Sequence, residues 1–300
     1  MQPYNTTIDT VKIQLDFTTQ EQQHTVHSDL IDYIRKYYFV NYKDFTDEIS
    51  RKVNRVFFVY YNGTYIASLA TGIYTTYDRH KRPVSTYYIS LKFAGLQRYN
   101  QAIDNASMDC FWRICAFSNN NDLIFKITQL DIAIDIYAKF ENVMAVCTKR
   151  TPNTQYYSLS EQQKFEQTRY VENIAYDRLH KVSKHAYTYD KAYKEKLDYD
   201  LTRFELSLSP KFFHKNNADI DAIAKALDRY HVMYFPTVRE KQNKITEYES
   251  FTNFRVRDIK KIGFEAYRAY PDLMYINEFL YWMFNVELWH FDIEDVEARL

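Results

Sequence analysis

Three short segments bring together residue types that act on phosphodiesters. Gln129-Leu-Asp-Ile-Ala-Ile-Asp-Ile136 alternates with a period of two. Read as a strand, it puts Asp131, Ala133 and Asp135 on one face and Leu130, Ile132, Ile134 and Ile136 on the other. Strands disfavour Asp, and two acids in mid-strand are costly unless they are solvated, paired or bound to a metal. Leu201-Thr-Arg-Phe-Glu-Leu-Ser-Leu208 sorts in the same way, with Arg203, Glu205 and Ser207 opposite Phe204, Leu206 and Leu208. Lys184-His-Ala-Tyr-Thr-Tyr-Asp-Lys191 places His185, Tyr187, Tyr189 and Lys191 on one face.

Each segment has an ordinary structural reading as well. The acids suit a sheet face open to water, Arg203 and Glu205 suit an ion pair within a sheet, and a chain with 29 Tyr carries most of them for packing. Together, however, they supply what cleavage of a phosphodiester by tyrosine requires. These needs are an aryl hydroxyl as nucleophile, hard carboxylate oxygens for a divalent cation that offsets phosphoryl charge, and an arginine to grip phosphate.

The elements that must position these residues point to an α+β fold, with an antiparallel-rich sheet body and flanking helices followed by a helical C-terminal part. Strands are expected at Thr10–Thr18, Ser85–Phe93, Leu123–Tyr137, Lys184–Lys191 and Leu201–Leu208. Asn62-Gly63 inside Val56–Ala70 marks a hairpin, because its turn needs positive φ at both central residues. Ser28–Tyr38, capped by Ser28, and Ala102–Ala116 have helical spacing. Ala192–Tyr199 reads as a short connection or a helical turn, and Thr154–Tyr176 as polar, aromatic and partly strand. Helices are expected over Ala218–Tyr230, Phe254–Tyr270 and Leu273–Phe284, with a boundary at Lys211–Asn217. This divides the chain into a catalytic domain at 1–210 and a helical region at 211–300.

Composition narrows the class. The 300 residues are 46% hydrophobic with only four Gly, enough for a sizeable core and unlike a low-complexity chain. Net charge is zero, which argues against a simple polyanion binder. The charge is uneven, however. Between Glu265 and Leu300 eight acids face only Arg268 and Arg299, so the remainder is basic. The stretch Lys211–Lys261 is the most basic, and a helix presenting Arg255, Arg257, Lys260 and Lys261 could follow phosphates or enter a groove, or simply be solvated. Three cysteines without a Cys-x-x-Cys spacing exclude a disulfide scaffold or a structural zinc site. With no basic-then-apolar N-terminal segment and no apolar run long enough to span a bilayer, a cytoplasmic protein with no membrane contact is expected. The apolar Tyr275–Trp289 surface is expected to pack on the body or to form a homodimer contact.

At these residues the sequence resembles the Rep_trans family, the rolling-circle initiators of small plasmids and related mobile-element relaxases. The resemblance rests on an early strand at Val11–Thr18 and on Lys126-Ile-Thr-Gln-Leu-Asp-Ile-Ala-Ile-Asp135, a form of [RK]-x-D-[LI]-A-x-D with the basic residue displaced. It rests further on Ala186-Tyr-Thr-Tyr-Asp-Lys191 followed by Arg203-Phe-Glu-Leu206. It covers roughly residues 10 to 210.

The resemblance implies that Tyr189 is the nucleophile and that Asp131 and Glu205 hold Mg²⁺ or Mn²⁺, with Asp135 as a further ligand or support. It also implies that Arg203 lies near the scissile phosphate, that Lys191 assists, and that His185 and Tyr187 contact DNA. The implied partners are an origin hairpin or single-stranded nick site, together with host helicase and polymerase. The implied product is a 5′-phosphotyrosine with a free 3′-hydroxyl. Two departures stand out: the family's Arg two residues before the nucleophile is Tyr187 here, and no His-x-His occurs. The alternatives are a non-enzymatic origin-binding replication or regulatory protein and a protein-interaction module.

Overall fold

The computed structural model describes residues 4–46, 53–96, 106–147, 157–158, 168–171, 182–234, 266–268 and 273–284. The chain forms two compact units, Asp9–Leu130 with Tyr281–Leu300, and Met1–Ile8 with Asp131–Leu280. Both are α+β, and every strand pairing whose register is established is antiparallel.

The unit built on Asp9–Leu130 contains β1 (Tyr4–Phe17, from Asp9 on), α1 (Gln20–Arg35), β2 (Phe39–Thr46), β3 (Val53–Tyr61), β4 (Thr64–Tyr77), β5 (Pro83–Ala94), α2 (Ala106–Asn120) and the start of β6 (Phe125–Ile136). Its strand order is β2-β3-β4-β5-β1-β6. Asn62 and Gly63 have φ of 46° and 77°, the positive values expected for the β3–β4 turn. Ile13, Leu91 and Leu69 are fully buried on one sheet face. That face receives the helices: Phe93 meets Phe111 of α2 at 5.1 Å between ring centroids, and Phe57 meets His27 of α1 at 5.0 Å.

Helix α1 begins eight residues before the expected cap. Thr19, not Ser28, is the N-cap, and its hydroxyl accepts from the Gln22 amide at 3.2 Å. The first two turns are polar, so no apolar period announces them. What holds them down is Gln23, buried, whose side-chain amide donates to the Gly72 and Tyr88 carbonyls at 2.9 and 2.6 Å.

The second unit contains the remainder of β6, a 3-10 turn (Phe140–Asn142), β7 (Val143–Cys147), β8 (Tyr157–Ser158), β9 (Thr168–Tyr170), β10 (Lys184–Asp190), α3 (Lys191–Glu195), β11 (Thr202–Leu208), α4 (Pro210–Asn216), α5 (Ile220–Leu227), β12 (Tyr230–Tyr234), β13 (Ala266–Arg268) and most of α6 (Leu273–Phe284). Its main sheet runs β6-β11-β10-β9-β8, and β13-β12-β7 form a small second sheet. Phe204, Leu206 and Leu208 are fully buried on one face of β11, where Phe204 packs on Tyr230 at 5.8 Å.

Two described segments of the later part of the chain are strands where helix is expected. Tyr230, expected to end a helix, starts β12, whose Tyr230–Tyr234 pairs residue for residue with Cys147–Val143. Ala266–Arg268, expected as helix, is a strand against Met233–His231. A short segment takes the structure its neighbours offer, and here β7 offers an open ladder. No helix among the described residues is long and apolar enough to cross a membrane.

Candidate active site

The β10–β11 register builds the site. Tyr187 lies directly opposite Glu205, Tyr189 opposite Arg203 and His185 opposite Ser207. Alternation therefore delivers His185, Tyr187 and Tyr189 to one face, as read from sequence. Their rings form a stack, His185 on Tyr187 at 5.8 Å and Tyr187 on Tyr189 at 6.1 Å, with interplanar angles of 20° and 24°.

Both tyrosines converge on one carboxylate. Tyr189 Oη donates to Glu205 Oε1 at 2.7 Å, and Tyr187 Oη donates to Glu205 Oε2. Glu205 is only 2% exposed and Tyr189 6%, so this cluster is closed rather than the solvated acid face that a surface strand would present. Burial, and the nearby carboxylates of Glu205 and Asp131, hold the Tyr187 hydroxyl well above its ordinary pKa. Tyr187 is thus a persistent hydrogen donor that fixes the Glu205 carboxylate. The Lys194 ammonium lies 4.7 Å from the Tyr189 ring centroid. A cation there favours negative charge developing on that tyrosine.

Arg203 and Asp135 are placed differently from the expectation. Both are fully buried, and Arg203 grips Asp135 through Nε to Oδ1 at 2.6 Å and Nη2 to Oδ2 at 2.7 Å. Both Asp135 oxygens thereby accept from the guanidinium, which also lies 4.0 Å from Glu205 Oε1 through Nη1. The pair is a buried ionic brace beside Glu205, where the sequence leads one to expect Asp135 as a metal ligand or support and Arg203 near the scissile phosphate.

Lys191 also departs from its expected place. The strand ends at Asp190, whose carboxylate caps α3 by accepting from the Tyr193 amide at 2.8 Å. Lys191 therefore starts a helix instead of continuing the alternation, and its buried ammonium pairs with Glu195 at 2.7 Å. Capping by Asp190 is also what carries Lys194 back over Tyr189. That contact was missed from sequence, although Asp190 ahead of a charged, non-alternating run was its signal. His185 is half-buried, and desolvation pushes its pKa down to about 4, so near neutral pH the ring is uncharged and offers stacking without a cationic phosphate contact. Arg255, Arg257, Lys260 and Lys261 lie outside the described residues.

The residues also bear on a divalent cation. No group of three or more potential ligands gathers among the described residues. The four buried charged side chains of β6 and β11 are nevertheless three acids, Asp131, Asp135 and Glu205, and one base, Arg203. Asp135 is paired with Arg203, and the carboxylates of Asp131 and Glu205 both lie near Tyr187. Magnesium-type ions commonly bind through one or two carboxylates, with substrate phosphate and water completing the shell. Asp131 and Glu205 fit that mode.

No family model matches the chain, and no curated protein matches it. Among solved structures, it is similar to the rolling circle replication initiator protein from Geobacillus stearothermophilus, at 12% identity and a TM-score of 0.36, over 77% of this chain and 86% of that one.

Proposed function

We propose that this chain is a strand-nicking and strand-transferring initiator of rolling-circle replication, with Tyr189 as nucleophile. The observation that carries the proposal is the 2.7 Å hydrogen bond from the buried Tyr189 hydroxyl to Glu205. Nucleophile and base stand within hydrogen-bond reach on adjacent strands, which is the arrangement an activated hydroxyl requires. The motif resemblance at Asp131, Tyr189 and Glu205 supports the same assignment.

In this mechanism, Tyr189 Oη attacks the phosphorus of a single-stranded origin segment as its proton passes to Glu205 Oε1. The phosphorus–O3′ bond breaks, and the departing oxygen takes up a proton to become a 3′-hydroxyl. The 5′ side stays on the enzyme as phosphotyrosine. Tyr187 keeps the Glu205 carboxylate oriented, and Lys194 stabilises the charge that builds on the Tyr189 ring. Asp131 and Glu205 would hold Mg²⁺ or Mn²⁺, which supplies positive charge beside the phosphoryl oxygens when bound. Arg203 and Asp135 support Glu205 from beneath. Attack of a 3′-hydroxyl on the phosphotyrosine reverses the step and reseals a strand.

The test is incubation with Mn²⁺ and a pool of labelled single-stranded oligonucleotides, read as a covalent adduct on denaturing gels. Tyr189→Phe is expected to abolish the adduct while retaining DNA binding, and Glu205→Gln to slow its formation by about 10²–10⁴-fold. An adduct that persists in Tyr189→Phe sinks the assignment of the nucleophile. DNA binding without an adduct on any substrate makes the chain a non-enzymatic origin-binding protein.

A further inference from the structure

The Asp9–Leu130 unit has a second sheet face, opposite α1 and α2, and its composition is not that of a solvated surface. Register places Asn41, Phe58, Ser68, Lys92 and Lys12 in one row across β2, β3, β4, β5 and β1. The next row carries Lys43, Val56, Ala70, Ser90 and Gln14, and a third brings Gly72, Tyr88 and Asp16 together. The middle of the face is thus small or polar, with aromatic rings on both sides of it.

On one side, Tyr65 lies 6.1 Å from Phe58 and 6.3 Å from Tyr60. A register shift at Val59/Tyr60 accompanies this arrangement, and Tyr65 Oη donates to Ser68 Oγ at 3.2 Å on the same face. On the other side, Tyr88 lies across Gly72 so closely that a Cβ at 72 would come within 2.3 Å of its Cζ. Tyr74 stands 5.9 Å from Tyr88, and the Lys126 ammonium is 5.6 Å from the Tyr74 ring. Gly72 therefore lets the Tyr88 ring lie close against the sheet. Phe58, Tyr60, Tyr65, Tyr74 and Tyr88 all remain part-exposed or exposed.

The lysines make the face specific. Lys12 and Lys92 are direct cross-strand partners, and like charges directly opposite destabilise a sheet. Burial and the Lys92 charge together lower the Lys12 pKa. Lys43 and Lys126 extend the positive field; among the described residues of these rows the one acid is Asp16, which pairs with Lys126 at 2.6 Å. A polyanion bearing flat apolar groups complements this surface, since phosphates would relieve the Lys12–Lys92 repulsion and bases would stack on the rings.

We infer that the open face of the Asp9–Leu130 sheet is a sequence-tolerant binding platform for single-stranded DNA, with Lys12 and Lys92 on the phosphates and Phe58, Tyr65 and Tyr88 under the bases. It shares its ligand class with the proposed nicking function but stands on separate residues. Titration of the full chain against a labelled oligothymidine of about 16 nucleotides, the upper site size of one such groove, tests it by fluorescence anisotropy between about 50 and 200 mM salt. Each lysine–phosphate contact on a single strand contributes about 0.7 to the slope of log affinity against log salt. Lys12→Gln/Lys92→Gln should therefore lower that slope by about 1.4 and cost on the order of tenfold per lysine at the low-salt end. Phe58→Leu, which keeps apolar bulk but loses the π-face, should weaken binding roughly fivefold to a hundredfold. Lys92→Gln should at the same time raise the melting temperature of the DNA-free protein, which a lysine serving only the fold would not do.

No binding by the wild-type chain at low salt overturns the inference, as it would if the occupant were a protein. So does an affinity and slope in the double variant equal to wild type, or an equal loss from Lys225→Gln on α5. A missing covalent adduct with normal anisotropy results removes the nicking function and leaves the platform. An adduct with unaltered binding in the lysine variants does the reverse.

Discussion

Breaking the Arg203–Asp135 brace should cost the fold far more than an exposed salt bridge would. Both side chains are fully buried, and both Asp135 oxygens accept from the guanidinium at 2.6 and 2.7 Å. Arg203→Met leaves Asp135 charged and uncompensated in the protein interior, and Asp135→Asn does the same to Arg203. Removing one partner of such a pair typically costs about 3–5 kcal/mol. At about 2–4 °C per kcal/mol for a domain of 150 to 250 residues, melting should fall by roughly 6–20 °C. The double variant, Arg203→Met with Asp135→Asn, should recover much of the loss, because neither charge is then left alone. A double-mutant cycle by thermal and urea denaturation without added metal measures this coupling. Were Asp135 a cation ligand instead, Asp135→Asn would leave the metal-free protein as stable as wild type and weaken only Mn²⁺ binding. Single variants as stable as wild type, or losses that simply add in the double, would refute the brace.

Two further outcomes follow from the site. His185 has its pKa depressed to about 4 against about 6.5 in an unfolded chain. Between those values the unfolded state binds more protons, so His185 should make stability fall as pH drops from about 6.5 to 4, by up to about 3 kcal/mol. His185→Gln should flatten that part of a melting-temperature profile, and an unchanged slope would show that the ring is not desolvated. Mn²⁺ at about 100 times its Kd should stabilise the wild-type protein by about 2.7 kcal/mol. Asp131→Asn should lose most of that shift in a thermal melt, and an equal shift in both proteins would place the ion elsewhere.

The parts of the fold legible in the sequence were those with a local signal. Asn62-Gly63 specifies its turn by backbone sterics alone, and the alternation of β6, β10 and β11 sorted core from site faces without any knowledge of partners. Strand β2 escaped notice because Phe39–Thr46 is an edge with both faces largely exposed, so burial imposed no alternation on it. Strands β12 and β13 belong to a ladder with β7, about eighty residues or more from either, so their pairing could not be read locally. The same limit governs the site. Tyr187, Tyr189 and Glu205 share one hairpin-like register, so their faces could be read. The contact between Arg203 and Asp135 spans 68 residues, so neither residue's own segment announces it.

On the proposed readings, the closed cluster of one unit and the lysine-bearing face of the other serve opposite physical needs. Chemistry by a tyrosine hydroxyl gains from burial, because a low-dielectric surrounding strengthens each interaction with Glu205 and keeps its geometry fixed before substrate arrives. Binding a flexible polyanion gains from the opposite: accessible rings, exposed lysines, and contacts that tolerate any base. The carboxylates of Asp131 and Glu205 would not themselves attract phosphate, and the zero net charge of the chain gives no general attraction to compensate. The cationic face at Lys12, Lys43, Lys92 and Lys126, if it binds DNA as inferred, would supply the positive charge that the carboxylates of the proposed site do not.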